Sequence, residues 1–140
     1  MRWIAGILAL VAFWSPVSAG GHTTGWFFKR TNDHTQPICD TRFSFLENYR
    51  AYYVDRRSTA DDKVMYITFD AGYENGNIAS IMDTLREKQV PASFFILQNL
   101  VYKNKDLLDR MVNEGHLICN HTAHHKNMAK VTKDDFAAEL

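Results

Sequence analysis

Short apolar runs alternate with amphipathic segments along the chain from Lys63 onward. Residues 64–69 and 90–97 are compact apolar runs, rich in β-branched and aromatic side chains, of the kind that form buried strands. Residues 116–119 make a third, shorter run. Between the first two runs, apolar side chains recur at i, i+3, i+4 and i+7, which is the period of one helix face. These four are Ile78, Ile81, Met82 and Leu85.

Helix start and stop signals divide the same region into alternating elements. Asn77 stands where an N-terminal cap of the first helix belongs. A second helix is predicted over residues 106–114, with Gly115 as its stop. Thr132 followed by Asp135 resembles a capping box and predicts a third helix near the end of the chain. The order β-α-β-α-β-α predicts an α/β fold with a parallel sheet or barrel.

The chain divides into three parts. Residues 1–19 have one Arg, an apolar run, a Pro break and small residues before Gly20, which is the layout of a cleavable export signal. The alternative, a membrane anchor, is disfavoured because the apolar run is shorter than the roughly 20 residues that span a bilayer. Residues 20–62 predict an irregular lead-in, and residues 63–140 form the regular domain. We therefore expect a secreted or cell-envelope protein without a stable membrane partner after signal cleavage.

Aromatic residues are scattered through the lead-in. They are Trp26, Phe27, Phe28, Tyr49, Tyr52 and Tyr53. Such side chains either bind sugar rings or pack the segment onto the domain. Packing is favoured, because aromatic residues dominate core burial.

The amino-acid composition excludes few classes of protein. A chain of 140 residues suits one domain, and 16 basic and 16 acidic residues give no net charge that would attract nucleic acid. Export would allow Cys39 and Cys119 to form one disulfide. Cys119 lies in an apolar run, where a small buried side chain is the commoner role. Composition leaves the oligomeric state open.

The end of the chain interrupts the predicted architecture. The last helix has barely begun when the sequence stops at Leu140. Three parallel strands cannot close a barrel, and such sheets need helices on both faces. We therefore expect this sequence to be part of a longer domain.

Candidate catalytic and metal-binding side chains lie at the ends of two predicted strands. Asp70 directly follows the first strand, and His121 follows the third. Because ligands of parallel α/β folds bind at the carboxyl ends of the strands, these side chains should converge. His125 is four residues beyond His121, so on a helical turn both imidazoles could share a metal, with His124 as a competing second ligand. The alternatives are a turn-forming Asp70 and a solvated polar turn of histidines.

Two motifs carry a family resemblance. ITFDAGYENG at residues 67–76 and NHTAHH at residues 120–125 resemble the first motif (TFDDG) and second motif (H(S/T)xxH) of the polysaccharide deacetylases, the NodB-homology enzymes of carbohydrate esterase family 4. The YENG continuation and the lead-in pieces GWFFKR, CD and YYVD resemble the delta-lactam-biosynthetic de-N-acetylase branch, which acts on muramic acid in spore cortex peptidoglycan. The resemblance implies the N-terminal portion of a deformed (β/α) barrel, incomplete in this chain.

The resemblance also implies a metal-dependent hydrolase that removes N-acetyl groups from amino sugars of peptidoglycan or a related polysaccharide. Asp70 matches the family's catalytic base, while His121 and His125 match its metal ligands, for a divalent ion with zinc favoured and cobalt possible. Ala71 departs from the pattern, because the family's usual third ligand is an acid there; the delta-lactam branch also lacks it. The later family motifs are absent, so we expect the 140-residue chain alone to be inactive. The alternative is a non-catalytic or degenerate glycan-binding module.

Overall fold

The computed structural model describes residues 25, 27, 29, 31–33, 35–37, 40–59 and 61–140. The export signal expected over residues 1–19 lies outside the described residues, as do Trp26, Phe28 and Cys39. Within the described ranges, no helix is long and apolar enough to cross a membrane.

Three short parallel strands form one sheet in the order β1-β2-β3. The strands pair in register over their whole length, so their carboxyl ends meet at one edge. This confirms the predicted parallel α/β arrangement. The strands are β1, Thr68–Ala71; β2, Ser93–Ile96; and β3, Leu117–Asn120.

Four α-helices of the described region accompany the sheet. They are α1, Asn77–Lys88; α2, Gln98–Lys103; α3, Lys105–Asn113; and α4, Lys133–Glu139. The six-residue α2 was not predicted, because so short a helix shows too few periods to be recognised. The lead-in, expected to be irregular, contains a 3-10 helix over Thr41–Tyr49, and the carboxylate of Asp40 accepts the N–H of Arg42 at its start.

The helix caps agree with the sequence only in part. Thr132 caps α4 as predicted, with its hydroxyl accepting the N–H of Asp135 at 3.1 Å. The expected cap of α1 was wrong, because Gly76 takes that position at φ 96° and Asn77 is the first helical residue. Only glycine adopts this left-handed backbone without strain. Gly115 follows α3 at φ 82°, as expected of a C-terminal stop.

The first strand is shorter than the predicted run over residues 64–69, because pairing begins at Thr68. Met65 upstream is 81% exposed. Val90 and Pro91, just before β2, provide no backbone N–H that could pair with the chain upstream of Thr68. The N–H of Val90 donates to the carbonyl of Leu85 near the end of α1, and proline has no N–H. The apolar run therefore extends beyond the segment that can pair.

Helices α1, α2 and α3 pack on one face of the sheet. Strand alternation directs Phe69 and Phe94 to this face, where their rings stack with centroids 5.0 Å apart. Three of the four residues predicted for the buried face of α1 are buried, and Ile81 is partly buried. The buried core consists of Ala71, Ile78, Met82, Leu85, Ala92, Phe94, Ile96, Leu100 and Met111.

The opposite face of the sheet carries Asp70, Phe95 and Cys119, by the same alternation. Cys119 is a partly buried free thiol in the described part of the chain. The lead-in approaches this face with Tyr49 and Tyr52 exposed and Tyr53 partly buried. For Tyr49 and Tyr52, the expectation of core packing was wrong.

Candidate active site

The strand ends place a carboxylate beside an imidazole. Asp70 is the third residue of β1, and His121 directly follows β3, where its N–H donates to the carbonyl of Ile96 at 3.1 Å. This bond continues the ladder between β2 and β3 and fixes the backbone of His121. Asp70 Oδ2 lies 3.8 Å from His121 Nε2, which is too long for a direct hydrogen bond. The Asp70 side chain is 69% exposed, so water reaches this gap.

His125 joins this pair by a turn that is not helical. The ring centroids of His121 and His125 lie 4.7 Å apart, with their planes at 47°. The backbone between them is left-handed at Thr122 (φ 71°) and again at His125 (φ 58°). The helical turn assumed from the i, i+4 spacing was therefore wrong, although the two rings do become neighbours.

Short polar side chains explain this turn. Asn120 Oδ1 accepts the N–H of Thr122 at 2.7 Å, and Thr122 Oγ1 accepts the N–H of His125 at 3.0 Å. Asn and Thr side chains compete with helical bonding by accepting from nearby backbone amides. The same two residues therefore replace a helix with a compact loop that brings the two imidazoles together, with His121 beside Asp70.

His124 takes a different partner. Its ring Nδ1 lies 2.9 Å from Glu139 Oε1, and its backbone N–H donates to Glu139 Oε2 at 2.8 Å. The ring is thus held by the end of α4, apart from the His121–His125 pair. His125, and not His124, therefore lies beside His121, while the choice of second metal ligand stays a prediction.

Glu139 is a buried acid that the sequence analysis missed. Burial alone would raise its pKa, but hydrogen bonds from the His124 backbone and ring and from Lys126 Nζ, 3.2 Å away, lower the pKa to about 2. The carbonyl of Glu139 also accepts the N–H of Ala123 at 2.9 Å. The end of α4 therefore holds the histidine turn through both side chain and backbone. No local pattern distinguishes this glutamate from a solvated one.

The loop after Asp70 packs closely against α2. Gly72 accepts a hydrogen bond from Asn99 Nδ2 at 3.1 Å, and a Cβ at Gly72 would lie 2.7 Å from Leu97 Cδ1. Glu74 Oε1 accepts the N–H of Gly76 at the start of α1, while its Oε2 is buried without a hydrogen-bond partner in the described structure. Glu74 therefore shapes the entry to α1.

The site offers few ligands for a metal ion. No group of three His, Cys, Asp or Glu side chains is placed to hold one among the described residues. Ala71, at the position of the family's usual third ligand, is buried in the core cluster. The donors present are two imidazoles and a carboxylate, and the 3.8 Å between His121 and Asp70 is slightly wider than the about 3.3 Å between neighbouring ligands of a tetrahedral zinc ion. The donor types fit a divalent ion, held by fewer protein ligands than usual.

Phe95 forms the floor beside the site, a role that its place in an apolar run did not reveal. It lies opposite Asp70 in the β1–β2 register. Its ring centroid is 6.5 Å from that of His121, in an edge-to-face arrangement. An apolar ring therefore adjoins both groups that could carry the chemistry.

The family model described as polysaccharide deacetylase matches residues 57–140. Among curated proteins, the peptidoglycan-N-acetylmuramic acid deacetylase PdaA of Bacillus subtilis is 32% identical over 146 aligned positions, covering 100% of this chain and 54% of PdaA. A peptidoglycan-N-acetylglucosamine deacetylase of Bacillus cereus is 34% identical over 100 positions, covering 71% of this chain and 35% of that protein.

The solved structure of B. subtilis PdaA, a family 4 carbohydrate esterase, superposes with a TM-score of 0.74 at 36% identity. That match covers 84% of this chain and 49% of the PdaA chain. The chain thus spans about half the length of the curated relatives it matches. The family model covers more than half of the chain, and it includes Asp70 and both histidines. The chain belongs to the polysaccharide deacetylase family.

Proposed function

We propose that this protein is a hydrolase that removes N-acetyl groups from the amino sugars of peptidoglycan or a related polysaccharide. The observation that carries the proposal is the convergence of Asp70, His121 and His125 at one edge of the sheet. Membership of the family supports it, as do the names of the relatives, which are deacetylases of peptidoglycan.

Asp70 is the general base in this proposal. Its exposed carboxylate accepts a proton from a water molecule as that water attacks the acetamide carbonyl carbon. The water oxygen bonds to the carbon, the proton taken by Asp70 passes to the amide nitrogen, the C–N bond breaks, and acetate and a free amine leave. His121 lies on the far side of the same gap, so Asp70 and the imidazoles approach a bound acetamide from one strand edge.

His121 and His125 are the residues that would hold a divalent ion. A bound ion would polarise the acetamide carbonyl, and imidazole with carboxylate suits zinc, with cobalt as an alternative. The loop bonds of Asn120 and Thr122, together with Glu139, hold the backbone of the turn that carries the two rings. This preorganisation offsets part of the loss of the acidic ligand at Ala71.

The substrate of the proposal is an N-acetylated glycan of the cell envelope. PdaA is named for N-acetylmuramic acid, and the B. cereus relative for N-acetylglucosamine. Since peptidoglycan lies outside the cytoplasmic membrane, the proposal includes an extracytoplasmic location, in line with the export pattern of residues 1–19.

Acetate release tests the proposal directly. N-acetylated glycan strands are incubated with the 140-residue chain and with any longer product of its reading frame, with added zinc or cobalt and with a chelator. In whichever form releases acetate, we expect release to depend on the metal, to be abolished by Asp70→Asn and His121→Ala, and to persist in the exposed Asp61→Asn. Full activity in Asp70→Asn would exclude this residue as the base. No release from any form would exclude the hydrolase.

The second candidate is a glycan-binding module that has lost its chemistry. The observation that favours it is the buried Ala71, which leaves the described residues without a three-ligand metal cluster. The same assay separates the two functions. Glycan binding without acetate release from any form supports the module.

A further inference from the structure

The loop that follows Asp70 is tied to the start of α2 by a side chain. The ladder between β1 and β2 ends where the N–H of Leu97 donates to the carbonyl of Ala71 at 3.0 Å. The next carbonyl along the chain, that of Gly72, lies beyond the paired strands. Asn99 Nδ2 donates to this carbonyl at 3.1 Å. The Asn99 side chain therefore adds one more bond where the backbone pairing of the two strands stops.

Asn99 presents its amide from a helix that is anchored in the core. It is the second residue of α2, and the next residue, Leu100, is fully buried in the core cluster. The N–H of Leu100 donates to the carbonyl of Leu97 at 3.0 Å, which holds the first turn of the helix against the end of β2. The bond from Asn99 to Gly72 is partly buried, so water competes for it less than for an exposed bond. The helix therefore offers a fixed donor to the loop.

The same loop also contacts the side chain of Leu97. A Cβ built at Gly72 would lie 2.7 Å from Cδ1 and 3.4 Å from Cγ of Leu97. The backbone of Gly72 therefore lies directly against this side chain. Packing on Leu97 and the bond from Asn99 together hold Gly72 to the chain that leaves β2.

The Asp70 side chain depends on this backbone for its direction. It is 69% exposed, and its Oδ2 stands 3.8 Å from His121 Nε2, beyond hydrogen-bond distance. The β1–β2 ladder holds the backbone as far as Ala71, and the Asn99 bond holds it at the following residue. A catalytic group must be placed to within about 0.5 Å, and a misplacement of about 1 Å can lower a rate about 100-fold.

We propose that Asn99 is a positioning residue for the deacetylation, which keeps the Asp70 carboxylate directed at the attacking water by holding the carbonyl of Gly72. The inference rests on the proposed function, in which Asp70 is the general base. It adds a residue of α2 that acts through the loop backbone and takes no part in the proton transfer.

Steady-state acetate release from N-acetylated glycan, by whichever form of the protein is active, tests this role. Asn99→Ala removes the amide, and Asn99→Asp keeps its shape but cannot donate to a carbonyl when ionised. We expect both to lower kcat about tenfold or more, with KM within about twofold. Hydroxide attacks without a general base, so this deficit should shrink as the pH rises from about 7 to 10. The matched control is Asn113→Ala, because Asn113 is an exposed asparagine at the end of α3 and should release acetate normally.

Two results would overturn the positioning role and leave the hydrolase in place. One is an unchanged kcat in Asn99→Ala or Asn99→Asp; the other is a deficit that stays the same at every pH, as expected of a bond that only stabilises the fold. Thermal melts give the folded fraction of each variant, and Asn99→Asp carries the test if Asn99→Ala unfolds. Absence of acetate release from every form, the unmutated protein included, would remove the hydrolase and the positioning role together.

Discussion

Glu139, the last residue of α4, accepts the backbone N–H of His124 at 2.8 Å while only 2% of its surface is exposed. The bond joins α4 to the turn that carries the candidate metal ligands. Lys126 and the His124 ring complete the surroundings of the carboxylate. A buried charge is tolerated in this way only when several donors surround it. The turn and the helix should therefore respond together to a change at Glu139.

Glu139→Gln should lower the stability of the protein in a pH-dependent manner. The folded pKa of about 2 is below the ordinary value of 4.5, so the charged group contributes its full stability above pH 4.5 and loses it as the pH falls to about 2. The difference in free energy of unfolding between the two proteins should therefore be constant above pH 4.5, shrink as the pH falls, and be lost only below pH 2. Urea unfolding at a series of pH values measures it.

The control for this prediction is Glu87→Gln, because Glu87 is an exposed acid of α1 paired with its neighbour Lys88. It should change stability little at any pH. Hydrogen exchange adds a local measurement, in which the amide of His124 loses protection in Glu139→Gln. Equal unfolding curves for Glu139→Gln and Glu87→Gln would show that the buried bonds contribute nothing.

Met82→Ala should destabilise the fold by about 2–5 kcal/mol, the usual effect of truncating a large core side chain. Met82 is fully buried on α1 within the core cluster. Met65→Ala is the matched control, and its side chain is 81% exposed ahead of β1, so we expect a change within about 0.5 kcal/mol. Denaturant midpoints at unchanged slope measure both. Similar losses for the two variants would mean that the run before β1 is buried after all.

Gly76→Ala should cost about 1–2 kcal/mol, because Gly76 caps α1 at φ 96° and a Cβ is strained in that backbone region. Nothing lies within 4 Å of a Cβ built there, so backbone strain is the only cause. Gly25→Ala also meets open space, and no left-handed φ is found at Gly25, which makes it the control. Thermal unfolding of the two variants measures the difference. If both leave the midpoint unchanged, the left-handed conformation of Gly76 is not required.

Much of the fold could be predicted because its signals are local. The apolar runs and the helical period of α1 lie within short windows, and parallel pairing follows from their alternation. The approach of Asp70 to His121 follows from the same topology, since parallel strands align their carboxyl ends. These predictions needed no knowledge of particular side-chain partners.

Of the remaining features, two depend on partners that are distant in sequence and one depends on local side-chain hydrogen bonds. The start of β1 at Thr68 is decided by Val90 and Pro91, which offer no donors upstream. The loop between the histidines follows from hydrogen bonds of Asn120 and Thr122 that outcompete a helical turn. Glu139 is buried only because α4 packs against that loop. In the first and third cases a tertiary contact decides the structure, and in the second local side-chain bonds replace the helical turn.

Metal binding should distinguish the three neighbouring histidines, because the rings of His121 and His125 lie together whereas the ring of His124 bonds Glu139. Calorimetry with zinc and with cobalt should show one site in the unmutated protein, weakened more than about tenfold by His121→Ala or His125→Ala. His124→Ala should retain the site, because its ring bonds Glu139 and its backbone N–H survives the substitution. If His124→Ala abolished binding as His121→Ala does, the ligand pair would have to include His124, and the turn would have to rearrange on binding the ion.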